Sequence, residues 1–427
     1  MFAIKKTWSI AAAALLLGGA VTAGMSPASA NPGAVRGLRN TVRVCSLPIA
    51  GQAACGARKV VDPSGNATPT LSAPPSSGLT PAQLRDAYKL EGTSSGGRTV
   101  AIVDAYGYPN LATDLATYRQ QFGLPACTVA SGCLRILNQT GGTTLPAYNL
   151  GWAQEQALDV DAVSAACPDC KIVVIEANSS YFSDLGTGVQ TAGKTAGVVA
   201  ISNSYSGSDA SDAYYGKYYN VPGIAVTASA GDNGYQGAAY PASSSYVTAV
   251  GGTSLAKAST ARGWSETVWI GTGSGCSAYN AALPAAANYS TGCAKRAMND
   301  VAAVSDPNNG GLAVYYPISG TTSTWGQFGG TSEAAPIIAS VYALAGSTGA
   351  SANGVSANSI PYAHPSAFFD VTSGSNGSCT TTKWCTAGTG WDGPTGLGTP
   401  NGAGGFANTG QGGSGSGSSI LSLLSLL

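Results

Sequence analysis

The chain has 427 residues, only 9% of them charged, and its 20 basic and 20 acidic side chains give a formal net charge of zero. This charged fraction is far below the roughly 25% of an ordinary soluble domain. The sequence contains no basic run, so nucleic acid is not an expected partner. Because few carboxylates would change charge on acidification, the composition is consistent with an acidic working environment.

The first 30 residues have the pattern of a secretory signal peptide. Lys5 and Lys6 precede a mostly apolar stretch, residues 8–21, and Ala28-Ser29-Ala30 is typical of a cleavage site. We therefore predict that residues 1–30 are removed and that the protein is secreted to the extracellular space. No later stretch approaches about 18 consecutive apolar residues, so we expect no membrane span.

Ten cysteines fall as five close pairs, which in an exported chain predicts disulfides. Near-neighbour pairing is the simplest hypothesis, although spacing does not prove connectivity. The Cys-Pro-Asp-Cys sequence could instead be a redox motif, but it follows a helical pattern rather than opening one, so no helix dipole lowers a thiol pKa. We therefore expect structural disulfides between Cys45 and Cys55, Cys127 and Cys133, Cys167 and Cys170, Cys276 and Cys293, and Cys379 and Cys385.

Composition divides the mature chain into three parts. Residues 31–77 lack apolar periodicity and end in a linker rich in Pro, Ser, Thr and Ala, which indicates a short pro-segment or N-terminal arm. Residues 78–408 form the predicted folded domain, and it begins at a capping box made by Thr80 and Gln83. Residues 409–427 are a Gly/Ser linker and an apolar tail too short to span a membrane.

Within residues 78–408, apolar strands alternate with amphipathic helices. This alternation predicts one α/β domain with a parallel sheet that helices cover on both faces. The predicted helices are 111–122, 151–166 and 184–195, and the predicted strands are 99–104, 171–177, 197–202, 224–230 and 246–250.

A Gly329-Gly330-Thr331-Ser332 sequence precedes a long Ala-rich apolar run. The glycines allow a tight turn and a close approach of another chain, and Pro336 is expected in the first turn of a helix. The Ser332 hydroxyl would then lie at the positive end of a helix dipole, which suits a nucleophile whose product carries an oxyanion. The alternative is that Thr331 or Ser332 is only an N-cap.

If Ser332 is a nucleophile, its base is not expected to be histidine. The only histidine, His364, lies in a loop-like stretch, and we interpret it as structural. A carboxylate base works only below neutral pH or with a tuned pKa. Asp104, which ends the first strand of the domain, occupies the place of the acid that partners a histidine in a subtilisin, so without that histidine we assign it no role.

Two other acidic positions are candidates for this chemistry. Glu155 and Asp159 are four residues apart on a predicted helix, about 6 Å apart on one face, and like charges so close split their titrations. The alternative is a solvent-exposed face that carries two acids. Asp232, in Ser-Ala-Gly-Asp-Asn-Gly, follows a buried strand at the edge where α/β sheets bind ligands. The alternative interpretation is that Asp232 is only a turn residue.

Together, these motifs resemble the sedolisin family of serine-carboxyl peptidases, over roughly residues 78–408. The resemblance implies a subtilisin-like fold and a triad in which Ser332 is the nucleophile, Glu155 the general base and Asp159 its orienting partner. It also implies that Asp232 is the acid of the oxyanion hole. By the same resemblance, the segment 202–207 is the substrate-binding edge strand, with Ser202, Ser204 and Gly207 as its binding residues.

The resemblance further implies one structural calcium ion. Its ligands would be two carboxylates and three backbone carbonyls, and hard oxygen ligands on a Gly-rich loop suit Ca²⁺. The implied ligand residues are Asp370, Val371, Gly388, Gly390 and Asp392.

The predicted function is a secreted, monomeric peptidase that hydrolyses peptides or proteins at acidic pH. The family usually carries a large folded activation domain, for which residues 31–77 are too short, and Glu333 adds a third acid next to the nucleophile. Both departures favour the alternative, a catalytically silent secreted pseudo-peptidase that acts as a binding or surface protein. The occupied catalytic positions favour the peptidase.

Overall fold

A computed structural model of the protein describes residues 1–2, 40–62, 71–346 and 356–408. The described residues from 40 onward belong to one compact unit. The predicted signal peptide, except for its first two residues, and the tail 409–427 lie outside the described residues. None of the described helices is long and apolar enough to cross a membrane.

Six α-helices are formed by the described residues. They are α1 (Pro81–Ala87), α2 (Leu111–Gln121), α3 (Leu150–Ala166), α4 (Phe182–Lys194), α5 (Asp212–Tyr219) and α6 (Thr331–Ala345).

The strands in the same part of the chain are mostly short outside the central sheet. They are β1 (Thr41–Arg43), β2 (Ala54–Cys55), β3 (Arg58–Val60), β4 (Thr99–Ala105), β5 (Leu134–Asn138), β6 (Lys171–Ala177), β7 (Val198–Asn203), β8 (Tyr205–Ser208), β9 (Ala225–Ser229), β10 (Ala239–Tyr240), β11 (Thr248–Lys257), β12 (Trp264–Val268), β13 (Gly275–Cys276), β14 (Ala297–Met298), β15 (Val301–Val304), β16 (Leu312–Pro317), β17 (Ser323–Gly329), β18 (Phe368–Phe369) and β19 (Thr399–Pro400).

The central sheet has the order β12-β11-β9-β7-β4-β6-β5, and β15 also pairs with β11. Its pairings are parallel except for that of β11 with β12. Alternate side chains of β4 enter two different cores: Val100 and Ile102 pack on the side of α3 and α6, whereas Ala101 and Val103 pack on the side of α4. This alternation follows from the period of two in a strand, and the predicted α/β sheet with both faces covered is confirmed.

The N-terminal arm contains three short strands that the sequence analysis did not predict. β2 pairs antiparallel with β8, and β3 pairs antiparallel with both β1 and β17. Each has two or three residues and lacks a periodicity of its own, so its pairing depends on distant partners. The arm is therefore part of the folded unit.

Two local predictions outside the central sheet are confirmed. Thr80 and Gln83 form a reciprocal capping box at the start of α1, with Pro81 in the first turn. All five expected disulfides are formed, and no described cysteine is free.

Candidate active site

The candidate site lies where the carboxyl ends of β4, β7 and β9 meet the helices α3 and α6. In a parallel sheet, these strand ends share one edge, which is where α/β folds bind ligands. β4 ends beside Asp104, β7 is followed by Ser204, and β9 leads into Asp232. α3 contributes Glu155, and α6 contributes Ser332. The fold thus brings together side chains from five separate parts of the sequence.

Ser332 is the second residue of α6 and is fully buried. The N-cap is Gly330, whose φ of 110° is readily adopted only by glycine, and no side chain caps the helix. The alternative that Thr331 or Ser332 is an N-cap is therefore wrong. The Ser332 hydroxyl donates a hydrogen bond to the backbone oxygen of Ser204, with an Oγ–O distance of 3.2 Å.

Pro336 lies in the second turn of α6, so the expectation that it falls in the first turn is wrong. A proline at this place cannot donate the helical hydrogen bond to the carbonyl four residues earlier, which belongs to Ser332. That carbonyl instead accepts a hydrogen bond from the Ser204 hydroxyl at 3.3 Å. The proline thus connects the start of α6 to the segment that follows β7.

Glu155 and Asp159 are completely buried on α3, so the alternative of a solvent-exposed face is wrong. Burial, together with the charge of Asp104, raises the pKa of both carboxyl groups well above the usual range. The nearby Ser332 hydroxyl and the Ala57 backbone N–H partly offset this effect for Glu155. The Ser204 hydroxyl has the same effect on the pKa of Asp159.

Asp104 lies close to these acids, since its charge acts on both Glu155 and Asp159, although no role was assigned to it from the sequence. It is fully buried, and neither of its carboxyl oxygens has a hydrogen-bond partner among the described residues. Burial and the neighbouring Glu176 raise its pKa well above the usual range. The missing histidine excluded one role for Asp104, whereas its position at a strand end already indicated proximity to the site.

Asp232 lies against the start of α6. Its Oδ1 accepts hydrogen bonds from the backbone N–H of Thr331 at 2.6 Å and from the Thr331 hydroxyl at 3.0 Å. Burial raises the pKa of Asp232 to about 6, although the Thr331 N–H and the charges of Arg43 and Arg58 act in the opposite direction. Oδ2 is buried without a hydrogen-bond partner in the described part of the chain.

The N-terminal arm runs directly over these groups. Residues 53–58, which we call the cleft segment, are buried. A Cβ atom added to Gly56 would lie 2.3 Å from Asp232 Oδ2 and 2.8 Å from Ser332 Oγ, so both atoms face the same point. The next residue, Ala57, donates its backbone N–H to Glu155 Oε2 at 2.8 Å.

The predicted substrate-binding segment is divided between two sheets. Ser202 is buried in β7, between β9 and β4, so it does not belong to an edge strand. Ser204 follows β7 and contacts Ser332, whereas Gly207 lies in β8, the strand that pairs with β2 of the arm. Of the three predicted residues, only Gly207 therefore lies in β8. A cavity of about 470 Å³ continues beside it, lined by Gly207, Asp232 and Arg43 among others.

Glu333 and His364, the two remaining residues singled out in the sequence, have different surroundings. Glu333 is buried beside the Leu312 backbone and Asp306, and its pKa is raised by burial. Successive helix residues point about 100° apart, so Glu333 faces away from the acids around Ser332, and the expectation of a third acid at the site is wrong. His364 lies between two short 3₁₀ helices, Pro361–Ala363 and Pro365–Ala367.

The residues proposed for calcium come together in one loop region. The Gly390 backbone N–H donates to Asp370 at 2.9 Å, and the Gly388 N–H donates to Asp392 at 3.2 Å. Burial raises the pKa of Asp392 to about 7, and the charge of Asp370 adds to that effect. Two carboxyl groups thus face the same glycine-rich turn.

No family model matches the chain. Kumamolisin from Bacillus sp. (strain MN-32) is 31% identical over 357 residues, which are 76% of this chain and 62% of kumamolisin. Xanthomonalisin from Xanthomonas sp. (strain T-22) is 36% identical over 180 residues, covering 37% of this chain and 20% of that protein. A solved structure of Pseudomonas sedolisin, a serine-carboxyl proteinase, has a TM-score of 0.63 at 23% identity, over 78% of this chain and 96% of that one.

The structural likeness to sedolisin establishes the class of protein, an α/β fold of the subtilisin-like kind, as predicted. The sequence relatives are more specific, and the predicted resemblance to the sedolisin family of peptidases is confirmed by them. The chain spans about three fifths (62%) of the length of the kumamolisin that it matches.

Proposed function

We propose that the protein is a serine-carboxyl peptidase that hydrolyses peptide bonds at acidic pH. One observation carries the proposal: Ser332 Oγ and the free Oδ2 of Asp232 face one point, with the Glu155 carboxylate beside them. The place where a carbonyl group would react is therefore surrounded by a nucleophile, a base and an acid that can donate a proton.

In the proposed reaction, Glu155 removes the Ser332 proton as Oγ attacks the peptide carbonyl carbon. Asp159 orients Glu155, and protonated Asp232 donates a hydrogen bond to the developing oxyanion. Glu155 then transfers the proton to the leaving nitrogen, and water releases the acyl group through the same steps in reverse order. Asp104 is a further acid whose charge raises the pKa of both Glu155 and Asp159.

The acidic working range follows from the two opposite protonation states that the mechanism requires. Asp232 must be protonated, and with its pKa at about 6 this form is lost above that pH. Glu155 must be ionised, and burial and the charge of Asp104 raise its pKa and so oppose ionisation in acid. The hydrogen bonds from Ser332 and Ala57 act in the opposite direction, and the buried carboxyls titrate as a coupled group rather than singly. Peptide hydrolysis is therefore expected to decline as the pH rises above about 6.

A calcium ion fits the loop that contains Asp370 and Asp392. Two carboxylates facing one turn supply hard oxygen ligands, and the carbonyls of Val371, Gly388 and Gly390 would complete the protein ligands. There is open space around Gly388 and Gly390, where an added Cβ would meet no atom within 4 Å. The ion would stabilise the loop.

We propose that the protein acts outside the cell as a monomer and that its substrates are peptides or proteins. Five disulfides in the described chain favour an oxidising compartment.

The test of the function is hydrolysis of a peptide library between pH 3 and 8 by the protein and by Ser332→Ala. We expect acid-pH hydrolysis that the substitution abolishes. Equal turnover by both proteins would contradict the role of Ser332, and no hydrolysis by the parent at any pH would favour the pseudo-peptidase.

A further inference from the structure

Gln156 is a buried amide next to the proposed base, and half of its hydrogen-bonding capacity is unused. It follows Glu155 on α3 and is 0% exposed. Its Nε2 donates to the Tyr106 carbonyl at 3.0 Å and, at 3.5 Å, to the Ala105 carbonyl. Its Oε1 is buried without a hydrogen-bond partner among the described residues. Because an unpaired buried oxygen is costly, an apolar side chain would suit this place better unless the N–H contacts matter.

The contacts of Gln156 join the two segments that carry neighbouring acids. Ala105 and Tyr106 directly follow Asp104 at the carboxyl end of β4. One amide therefore connects the residue next to Glu155 with the residues next to Asp104. After burial itself, Asp104 has the largest effect of any charged neighbour on the pKa of Glu155. The separation of these two carboxyl groups thus affects how readily Glu155 ionises.

The backbone at Tyr106 has an unusual conformation at this contact. Its φ is 63°, in the left-handed region that bulky residues rarely adopt. The Tyr106 N–H donates to the carbonyl of Ala177 in β6 at 2.7 Å, while the Tyr106 carbonyl accepts from Gln156. Its ring centroid lies 6.4 Å from that of Trp152, one turn earlier on α3. Residues that their surroundings hold in such conformations cluster at functional sites, and here α3 and β6 supply the contacts.

The ionisable groups around Glu155 and Asp104 are mostly acids. They are Asp159 of α3, Asp232 after β9, Glu176 of β6, Tyr205 of β8 and, acting on Asp232, the arm residues Arg43 and Arg58. None of the salt bridges between described residues includes Glu155 or Asp104. The repulsion between these two carboxyl groups therefore depends on the distance at which α3 and β4 hold them.

We propose that Gln156 is a positioning residue that fixes Glu155 relative to Asp104 by binding the carbonyls of Ala105 and Tyr106. With the amide in place, α3 and the end of β4 keep one spacing, and Glu155 stays beside Ser332. The inference rests on the proposed function, because the base that is positioned belongs to the proposed peptidase site. The titration of Glu155, however, is measurable without catalysis, and this separates the two.

The test replaces Gln156 by methionine, which has a similar length but no N–H donor. Gln156→Asn is the second variant, because its amide is one carbon too short for the Tyr106 carbonyl. Gln154→Met is the matched control: Gln154 is a buried glutamine of the same helix, and it donates at 2.8 Å to the carbonyl of Pro317 in β16.

Each protein is measured in two ways. The first is kcat and KM for one peptide between pH 3 and 8. The second is the carbon-13 NMR titration of the Glu155 carboxyl group in the Ser332→Ala background, assigned with Glu155→Gln. Circular dichroism shows which variants are folded.

We expect Gln156→Met to lower kcat by about tenfold or more with little change in KM, because a small displacement of a catalytic group is costly. As Glu155 and Asp104 separate, Glu155 should titrate at a lower pH, and the acid limb of the kcat profile should move with it. Gln156→Asn should change both in the same direction. Gln154→Met should match the parent.

The proposal would be overturned by a Glu155 titration that is unchanged, or moves to higher pH, in the folded Gln156 variants. An equal shift in Gln154→Met would also overturn it, since any lost amide would then have the same effect. If the titration shifts as expected but the parent hydrolyses no peptide, the peptidase function fails and the positioning role stands. If the parent hydrolyses peptides but the Gln156 variants titrate like it, the reverse holds.

Discussion

At the scale of single residues, the site depends on which buried acids face Ser332. Glu155 and Glu333 are both fully buried glutamates with raised pKa values. They differ in surroundings: Glu155 has the Ser332 hydroxyl beside it, whereas Glu333 faces the Leu312 backbone and Asp306. Proximity in sequence is therefore misleading here, because the immediate neighbour of Ser332 points elsewhere.

Replacing each glutamate by the isosteric glutamine separates these two environments. Glu155→Gln keeps the shape of the side chain but cannot accept the serine proton, so we expect peptide hydrolysis to fall by about 100-fold or more. Glu333→Gln should retain the activity of the parent. The measurement is kcat/KM on one peptide at pH 4. Similar losses for both variants would contradict the assignment of Glu155.

At the scale of elements, Pro336 and Ser204 act as a pair across α6 and β7. Proline withholds the N–H that the Ser332 carbonyl would otherwise accept, and the Ser204 hydroxyl replaces it. An unpaired buried carbonyl costs about 1–3 kcal/mol. The hydrogen bond from Ser204 therefore stabilises the start of the helix that carries the proposed nucleophile.

A double-mutant cycle tests this pairing. Ser204→Ala should lower the free energy of unfolding by about 1–3 kcal/mol in the parent. It should cost less in a Pro336→Ala background, where the restored N–H can bond to the Ser332 carbonyl. Urea unfolding of the four proteins of the cycle gives the coupling free energy between positions 204 and 336. The same cost for Ser204→Ala in both backgrounds would show that the carbonyl does not depend on Ser204.

How far sequence predicts these elements depends on the range of the interactions that form them. The long elements α3, α6 and the central strands have strong local patterns, and the motifs on them indicated Glu155, Asp159, Asp232 and Ser332 together. The strands of the arm have two or three residues and no pattern, so their position over the site is set only by tertiary pairing with β8 and β17. Asp104 was missed because its role was judged by one partner, histidine, rather than by the strand end that it occupies.

At the scale of the whole molecule, buried carboxyl groups make stability depend on pH. Burial raises the pKa of the main buried acids. A carboxyl group whose pKa is higher in the folded than in the unfolded state stabilises the fold fully at a pH below its unfolded pKa, which is near 3.8 for aspartate. This stabilisation is lost as the pH rises through the pKa of the folded state. For Asp232 alone, a pKa shift from 3.8 to about 6 corresponds to a change of about 3 kcal/mol in the free energy of unfolding.

We therefore predict that the melting temperature is highest in acid and falls between pH 4 and pH 8. Differential scanning calorimetry of the Ser332→Ala protein measures this without self-digestion. In Asp232→Asn the decline between pH 4 and 6 should be smaller, because one of the titrating groups is gone. A melting temperature that rises from pH 4 to pH 8 would contradict the account of the buried acids.

The proposed calcium site gives a second test at this scale. A bound ion stabilises the folded state by an amount that grows with its free concentration. EDTA should therefore lower the melting temperature at a fixed pH, and added Ca²⁺ should restore it. Asp370→Ala should melt lower than the parent and respond to neither addition. An equal response of parent and variant to EDTA would exclude Asp370 as a ligand.

The central claim is that Ser332 attacks peptide bonds with carboxyl groups, rather than histidine, as its partners. The most direct measurement is peptide release at pH 4 by four proteins: the parent, Ser332→Ala, His364→Ala and the double variant. We expect hydrolysis that Ser332→Ala abolishes and His364→Ala leaves unchanged. Hydrolysis that survives Ser332→Ala, or that disappears with His364→Ala alone, would contradict it.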